Sequence, residues 1–265
     1  VSDSFTPRET WHFDTELIGR RVLVYDSVDS TLSLGAALAA SEEDTDGLVL
    51  IADHQSAGRG QYGRTWTSRP GSSLLMSVIV RPPTELRRPV ILTAWVAVAI
   101  ADAVKTLTGA QARLKWPNDL LVTEKKICGI LIEQSSSAGA LTTIAGTGLN
   151  LTQTAEEFAQ ANLPSATSLG IISGGAIDTR AAAGVVIRKL DREYSRLCAG
   201  ESSAVETEWK RRTGLLGRQV VIEHLGGAST TGRLRDMSFG GLELEDPAGF
   251  VSVVTPESVA HVRAV

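Results

Sequence analysis

The chain has 265 residues, 43% hydrophobic and 21% charged, enough for one large core or a large domain with a small one. Its formal charge of −4 and pI near 5.7 lack the basic excess with which nucleic-acid proteins neutralise phosphates, so DNA is not expected as a partner. Two cysteines, Cys128 and Cys198, exclude a disulfide framework and point to a reducing compartment. Val1–Trp11 has no apolar signal core, and the apolar run Val90–Ala101 falls short of the ~20 residues of a membrane span. The expectation is a soluble cytoplasmic protein with no membrane partner.

In chain order, Arg21–Tyr25 reads as a strand, and Asp29 or Ser30 then caps a short helix through Leu32, Ala36 and Ala40. Leu48–Ala52 is a second strand, Gln55–Gly71 a glycine- and arginine-rich loop, and Ser73–Val80 a buried strand. A helix runs from Pro89 to Gly109 with Ile91, Trp95, Val98 and Ala101 at helical spacing. Strands follow at Ala112–Trp116, Asp119–Thr123 and Lys126–Glu133, with a turn at Pro117-Asn118. Leu141–Ala145 runs on into Gly146-Thr147-Gly148-Leu149-Asn150. Asp178 starts a helix with an Ala182, Val186, Leu190, Leu197 face, and Ser203 with Glu206 matches a capping box. From Gly217 onward, short β-runs separated by glycine turns predict a small barrel of about fifty residues. The fold class is α+β, a mixed sheet with helices mainly on one face, because neighbouring strands break strict β-α alternation. The predicted divisions are an extension over 1–20, a catalytic domain over 21–214 and the β-barrel over 215–265.

Gly58-Arg59-Gly60-Gln61-Tyr62-Gly63 matches G-x-G-x-x-G formally, but no helix follows and the next acidic residue, Glu85, comes late. A G-K-[ST] phosphate loop is absent. The loop nevertheless offers close backbone approach at its glycines, guanidinium forks at Arg59 and Arg64, and a stacking surface at Trp66. Its plain alternative is a solvated loop with two surface arginines. Lys115-Trp116-Pro117-Asn118-Asp119 sets a cation, an amide and a carboxylate at a strand junction, with Lys126 and Gly129 on the next strand. Here too a plain reading stands: Asp119 stabilises a turn, Lys115 and Lys126 are strand-end charges, Ser30 and Thr31 cap a helix, and Asn150 ends a strand.

Taken together, these segments resemble the catalytic domain of biotin protein ligases. The likeness spans Asp29-Ser30-Thr31, Gln55–Gly60, Gly63–Trp66, Lys115–Leu120, Lys126–Glu133, Gly146–Asn150 and Ala166–Leu169, in order over Tyr25–Leu169. The resemblance implies a class II synthetase-like sheet with an SH3-like C-terminal module. It implies an enzyme that makes biotinyl-5′-AMP from biotin and ATP and passes biotin to a lysine of a biotin carboxyl carrier protein. Ser30, Thr31 and Gln55 would hold the ureido ring, with Leu32, Gly58, Gly60, Gln61, Gly129 and Gly146 also on the biotin side. Arg59 and Lys126 would meet the biotin carboxylate and α-phosphate and act as the catalytic cations. Arg64, Trp66, Lys115, Asn118, Asp119, Gly148 and Asn150 would take ATP, with Asp119 as the one carboxylate toward Mg²⁺.

The chain departs from the family at Leu32, where Asn is usual, and at Gln61, where a second arginine is common. Gln61 can hydrogen-bond but supplies no charge, so the adenylate is expected to be held either more loosely or by Arg64. About twenty residues precede the first strand, too few for the helix-turn-helix that many relatives carry, so a ligase without DNA binding is expected. A lipoate or octanoyl ligase, a non-catalytic biotin sensor and a nucleic-acid module are the competing readings; a homodimer is left open. Cys128 reads as a small buried hydrophobe. An acyl-adenylate hydrolyses when wetted, so the Gln55–Gly71 loop should close over it. Hydrogen exchange in this loop should therefore slow when biotin and ATP are both added, and unchanged protection would rule closure out.

Overall fold

The computed structural model of the chain describes residues 6–41, 44–137 and 140–265. The elements are β1 (Glu9–Trp11), β2 (Val22–Val28), α1 (Thr31–Ser41), β3 (Val49–Gln55), β4 (Ser73–Val80) and α2 (Pro89–Thr108). They continue with β5 (Arg113–Lys115), β6 (Asp119–Val122), β7 (Lys125–Ser137), β8 (Ala140–Asn150), α3 (Ala155–Gln160) and α4 (Leu169–Ser173). The chain ends with α5 (Thr179–Cys198), α6 (Ser202–Thr213), β9 (Gln219–His224), β10 (Ser229–Met237), β11 (Leu242–Glu245), β12 (Val251–Val254) and β13 (Val259–Ala264).

Eight strands form one sheet in the order β1-β2-β3-β4-β8-β7-β6-β5. Among the described strands of this sheet only β2 and β3 pair in parallel, joined by α1 as the crossover helix; the other pairs are antiparallel. All eight residues of β4 are buried, because both faces of the sheet are covered there. On one face α1 sets Leu32, Leu34 and Leu38 against Tyr25, Leu50, Ala52, Ile79 and Ile144. The other face packs on α2 and α5, where Trp95 donates its indole N–H to the Leu190 carbonyl at 2.8 Å. The expected mixed sheet with helices mainly on one face is what forms.

Helix α2 begins with Pro89 and ends at Gly109 in the left-handed conformation, as its sequence predicts. It is long and apolar enough, by length and composition, to cross a membrane. The twelve-residue run seen in the sequence stops at Asp102, but the helix continues to Thr108, and its apolar faces are buried in the core.

The C-terminal strands form the expected small all-β module, a five-stranded antiparallel sheet ordered β12-β11-β10-β9-β13; among the described residues its end strands are not hydrogen-bonded to each other, since β12 pairs with β11 and β13 with β9. One expectation is corrected: the capping box at Ser203 does not form. Glu201 is the N-cap, without a side-chain bond, and Glu206 instead accepts the Phe239 N–H at 2.5 Å, tying α6 to the C-terminal sheet. A capping box does form at Thr154 and Glu157, opening α3.

The segment before the first expected strand contributes to the large sheet. Its residues 1–5 lie outside the described residues, but β1 pairs with β2 at the sheet edge. The buried carboxylate of Asp191 on α5 then accepts the N–H groups of Glu16, Leu17 and Ile18 at 3.0, 2.7 and 2.8 Å. Asp191→Ala strands these donors and should lower unfolding free energy by roughly 3 kcal/mol, read as a reduced denaturant midpoint at unchanged slope.

Candidate functional site

Alternation along β8 sends Ile144, Gly146, Gly148 and Asn150 to the face that carries α1. Across the ladder Gly129 of β7 stands opposite Gly148, and Leu131 opposite Gly146. Three residues without Cβ atoms therefore lie together on one face, and the sheet there is bare backbone. Trp66 and Leu32 lie directly on it. A Cβ added at Gly148 would come 2.5 Å from Trp66 Cε2, one at Gly129 2.9 Å from Trp66 Cζ3, and one at Gly146 2.9 Å from Leu32 Cγ. The Trp66 indole nitrogen is buried and has no hydrogen-bond partner among the described residues.

The loop that carries Trp66 has its own order. Trp66 donates its backbone N–H to Gly58 at 3.0 Å, Gly60 donates to Arg64 at 2.7 Å, and Arg59 bridges Thr65, so the loop folds back on itself. Its tip is a 3₁₀ turn over Gln61–Gly63 with Tyr62 and Gly63 at positive φ. Any Cβ at Gly58 would collide with the Trp66 carbonyl, which makes glycine obligatory at that crossing.

At the α1 end of the glycine floor the polar side chains are interlinked. Gln55 Oε1 accepts the Thr31 N–H at 2.7 Å and the Thr31 hydroxyl at 3.0 Å, and Ser77 donates its hydroxyl to Thr31 Oγ1 at 2.8 Å. Ser30, also buried, accepts the Leu32 N–H at 3.3 Å. The Gln55 amide nitrogen makes no hydrogen bond among the described residues and borders Gly58. Ser77 is a member of this cluster that the sequence did not reveal. It sits within an apolar strand, and only its pairing opposite Gly146 discloses it.

At the opposite end Lys126 stands 2.6 Å from Asp119 and 5.6 Å from the Trp66 ring centroid. Its strand is fixed on its free side by Ser165–Thr167: Lys126 N–H donates to Ser165 at 2.7 Å, and Thr167 N–H donates to Lys126 at 2.8 Å. Lys115 faces Asp119 across the β5–β6 ladder and is exposed. With Arg113, whose hydrogen bond is the main cause, it holds the Glu124 carboxyl below its ordinary range. Cys128 points to the opposite, fully buried face, where desolvation pushes its thiol far up.

Four of the expected ligand contacts are otherwise engaged. Arg59 makes a two-point ion pair with Glu133, 2.9 Å at each contact. Glu133 lies four residues beyond Gly129 on β7, about 13 Å along the strand, so the guanidinium is not beside Lys126. Asn118 donates its side-chain amide to the Ile130 carbonyl at 2.6 Å and ties the turn between β5 and β6 to β7. Asn150 is buried, donating to the Thr167 carbonyl at 3.0 Å and accepting from Gln153 at 3.3 Å. Leu32 belongs to the apolar cluster under α1 and has no polar role. Arg64 is exposed at the loop surface, without an ion pair among the described residues, and Gln61 is half-buried at the tip.

A mixed sheet with a bare glycine strip, polar at one end and cationic at the other, defines a small-molecule-binding α/β protein. Comparison with known proteins names the lineage. The model of the biotin/lipoate A/B protein ligase family matches residues 24–150. A biotin–[acetyl-CoA-carboxylase] ligase of Mycobacterium tuberculosis is 34% identical over 251 residues, covering 92% of this chain and 90% of that one. The bifunctional ligase/repressor BirA of Bacillus spizizenii is 29% identical over 244 residues, covering 92% and 75%. Among solved structures, the biotin protein ligase from Aquifex aeolicus in complex with biotin and ATP superposes with a TM-score of 0.74 at 25% identity, covering 92% and 99%. The chain belongs to the biotin/lipoate A/B protein ligase family.

The packing of Trp66 is directly testable. Gly148→Ala should lift the indole from the floor, raising its accessibility to acrylamide quenching, at a cost of about 1–3 kcal/mol in stability. A Trp66→Phe control identifies the signal among the five tryptophans. Unchanged quenching would mean that the ring does not rest there.

Proposed function

We propose that the protein activates biotin with ATP, forming biotinyl-5′-AMP and pyrophosphate, and then transfers biotin to a lysine of a biotin carboxyl carrier protein. The observation that carries this reading is the glycine floor with Lys126 and Trp66 at one end and Thr31, Gln55 and Ser77 at the other. It is found in a chain 34% identical to a biotin–[acetyl-CoA-carboxylase] ligase over nearly its whole length.

In the first step a biotin carboxylate oxygen attacks the α-phosphorus of ATP and the α–β bridge breaks, releasing pyrophosphate. Both partners are anions, so positioning and positive charge lower the barrier. Lys126, stacked beside Trp66 and free to exchange Asp119 for a ligand oxygen, is the cation for the carboxylate and α-phosphate. Arg59 is the second cation, and it reaches the ligand by leaving Glu133. In the second step the carrier lysine amine attacks the acyl carbon and AMP departs.

Ser30, Thr31 and Gln55 take the ureido ring, and the unused Gln55 amide nitrogen is a donor for its carbonyl. A buried polar cluster of this kind rejects a lipoyl dithiolane, which would leave it unpaired. Trp66 offers a face to adenine, and Lys115 and Arg64 lie toward the phosphates. Asn118 and Asn150 act by shaping the β5–β6 turn and the end of the floor, since their amide nitrogens are bonded to carbonyls.

No group of three or more metal-capable side chains exists among the described residues. One carboxylate fits the way Mg²⁺ enters on phosphates, so Asp119 would hold the ion, which when bound spreads the triphosphate charge.

The deciding measurement is biotin-dependent exchange of labelled pyrophosphate into ATP. Wild type should exchange with biotin and not with lipoate, and Lys126→Ala and Arg59→Ala should each lose on the order of 100-fold. Biotin binding without exchange would reduce the protein to a sensor.

A further inference from the structure

Five consecutive residues, Glu257–His261, spanning the 3₁₀ turn before β13 and the start of that strand, touch three separate parts of the large domain. Glu257 pairs with Arg88 at the start of α2, at 3.0 and 2.8 Å. The Val259 carbonyl accepts the Trp116 indole N–H at 3.3 Å, inside the segment that carries Lys115 and Asp119. Trp116 also packs on Trp209 of α6, and Trp209 on Phe239, at centroid separations of 5.7 and 5.4 Å. The His261 ring stands edge-on to Tyr62, centroids 6.4 Å apart and planes at 76°.

Tyr62 occupies the tip of the loop that lays Trp66 on the glycine floor. Its backbone is left-handed, φ 57°, a conformation disfavoured for an aromatic residue, and the residue is 52% exposed. Nothing in the loop itself explains a large ring held this way; the His261 contact does. The ladder between β13 and β9 shifts register between Val259 and His261, leaving Ala260 as a bulge. Bulges re-aim neighbouring side chains and recur beside active sites. One irregular strand thus reaches both the hairpin bearing Asp119 and the loop bearing Trp66.

The geometry points to Tyr62 and His261 as a pair of positioning residues, through which β13 braces the ligand loop in its ordered, Trp66-down arrangement. The C-terminal sheet is then part of the machinery that organises the site, although it supplies no group to the reacting atoms. A braced loop needs less ordering when ligands bind, so the brace acts on affinity more than on turnover.

The test uses the full chain and two readouts. In the ligand-free protein, site-resolved hydrogen exchange at the Gly60 and Trp66 amides, both bonded within the loop, should quicken about three- to tenfold in His261→Ala and in Tyr62→Ala. The double variant should be no faster than either single one, because the two rings form one contact. Tyr62→Phe, which keeps the ring, should stay within about twofold of wild type. Amides of β4 report global stability and should not change. The kinetic arm rests on the biotin-ligase reading: the KM for ATP in pyrophosphate exchange should rise by a similar factor, while kcat moves less than about twofold.

Loop exchange indifferent to His261→Ala, or effects of the two alanine variants that add, would overturn the brace. A uniform rise that includes β4 would overturn it as well, as simple destabilisation. A wild type that failed to exchange pyrophosphate would remove the biotin reading alone, and the hydrogen-exchange arm would still decide the brace.

Discussion

Where Gly129 pairs with Gly148 and Gly146 follows two residues away, the large sheet has no side chains with which to close itself. Packing at protein density requires something else to fill that volume, and the structure fills it with a flat indole and a leucine lying almost on the backbone. Most of the site follows from this. The loop must cross back at Gly58 to lay the ring down, Lys126 must pass over Gly129 beside it, and the polar cluster at Gln55 marks where the floor meets α1. Any side chain on the floor would cost the cover, so three glycines on two strands are a single requirement rather than three local ones.

The elements were legible wherever a period or a stop signal was strong. Ser73–Val80 reads as buried on both faces, and Pro89 and Gly109 bracket α2, because propensity and tertiary packing agree there. What the sequence withheld was mostly long-range. Arg59 and Glu133 are separated by 74 positions, and no local pattern announces their pairing. Ser77 looks like an interruption of an apolar strand until Thr31, 46 positions away, is placed against it. The glycines were individually visible, but their coincidence on one face depends on the register of β7 against β8. Glycine turns correctly marked the C-terminal strands and could not tell whether the end strands meet. Ser203 has the spacing of a capping residue but lies one residue inside its helix, so Glu206 was left to serve Phe239.

The two cations assigned to the carboxylate and α-phosphate are held in reserve by partners rather than left open. Lys126 rests against Asp119 and Arg59 against Glu133, each within ordinary ion-pair distance and each partly exposed. Exposed pairs of this kind contribute little to stability. The same modest strength means that an incoming anion displaces the carboxylate at small cost. A fully buried cation would have needed a permanent partner, and would have been unavailable for chemistry at the floor.

The anchoring of the N-terminal segment bears on where this protein can be cut. The match to the family model begins at residue 24, and an N-terminal cut made there in an otherwise intact chain would discard β1 together with the backbone donors at Glu16, Leu17 and Ile18. The Asp191 carboxylate on α5 would then lose the three backbone donors that answer its charge. Residues that carry no recognisable motif thus hold the sheet edge to α5, and a chain trimmed at residue 24 would be less stable even though every ligand-facing residue was retained.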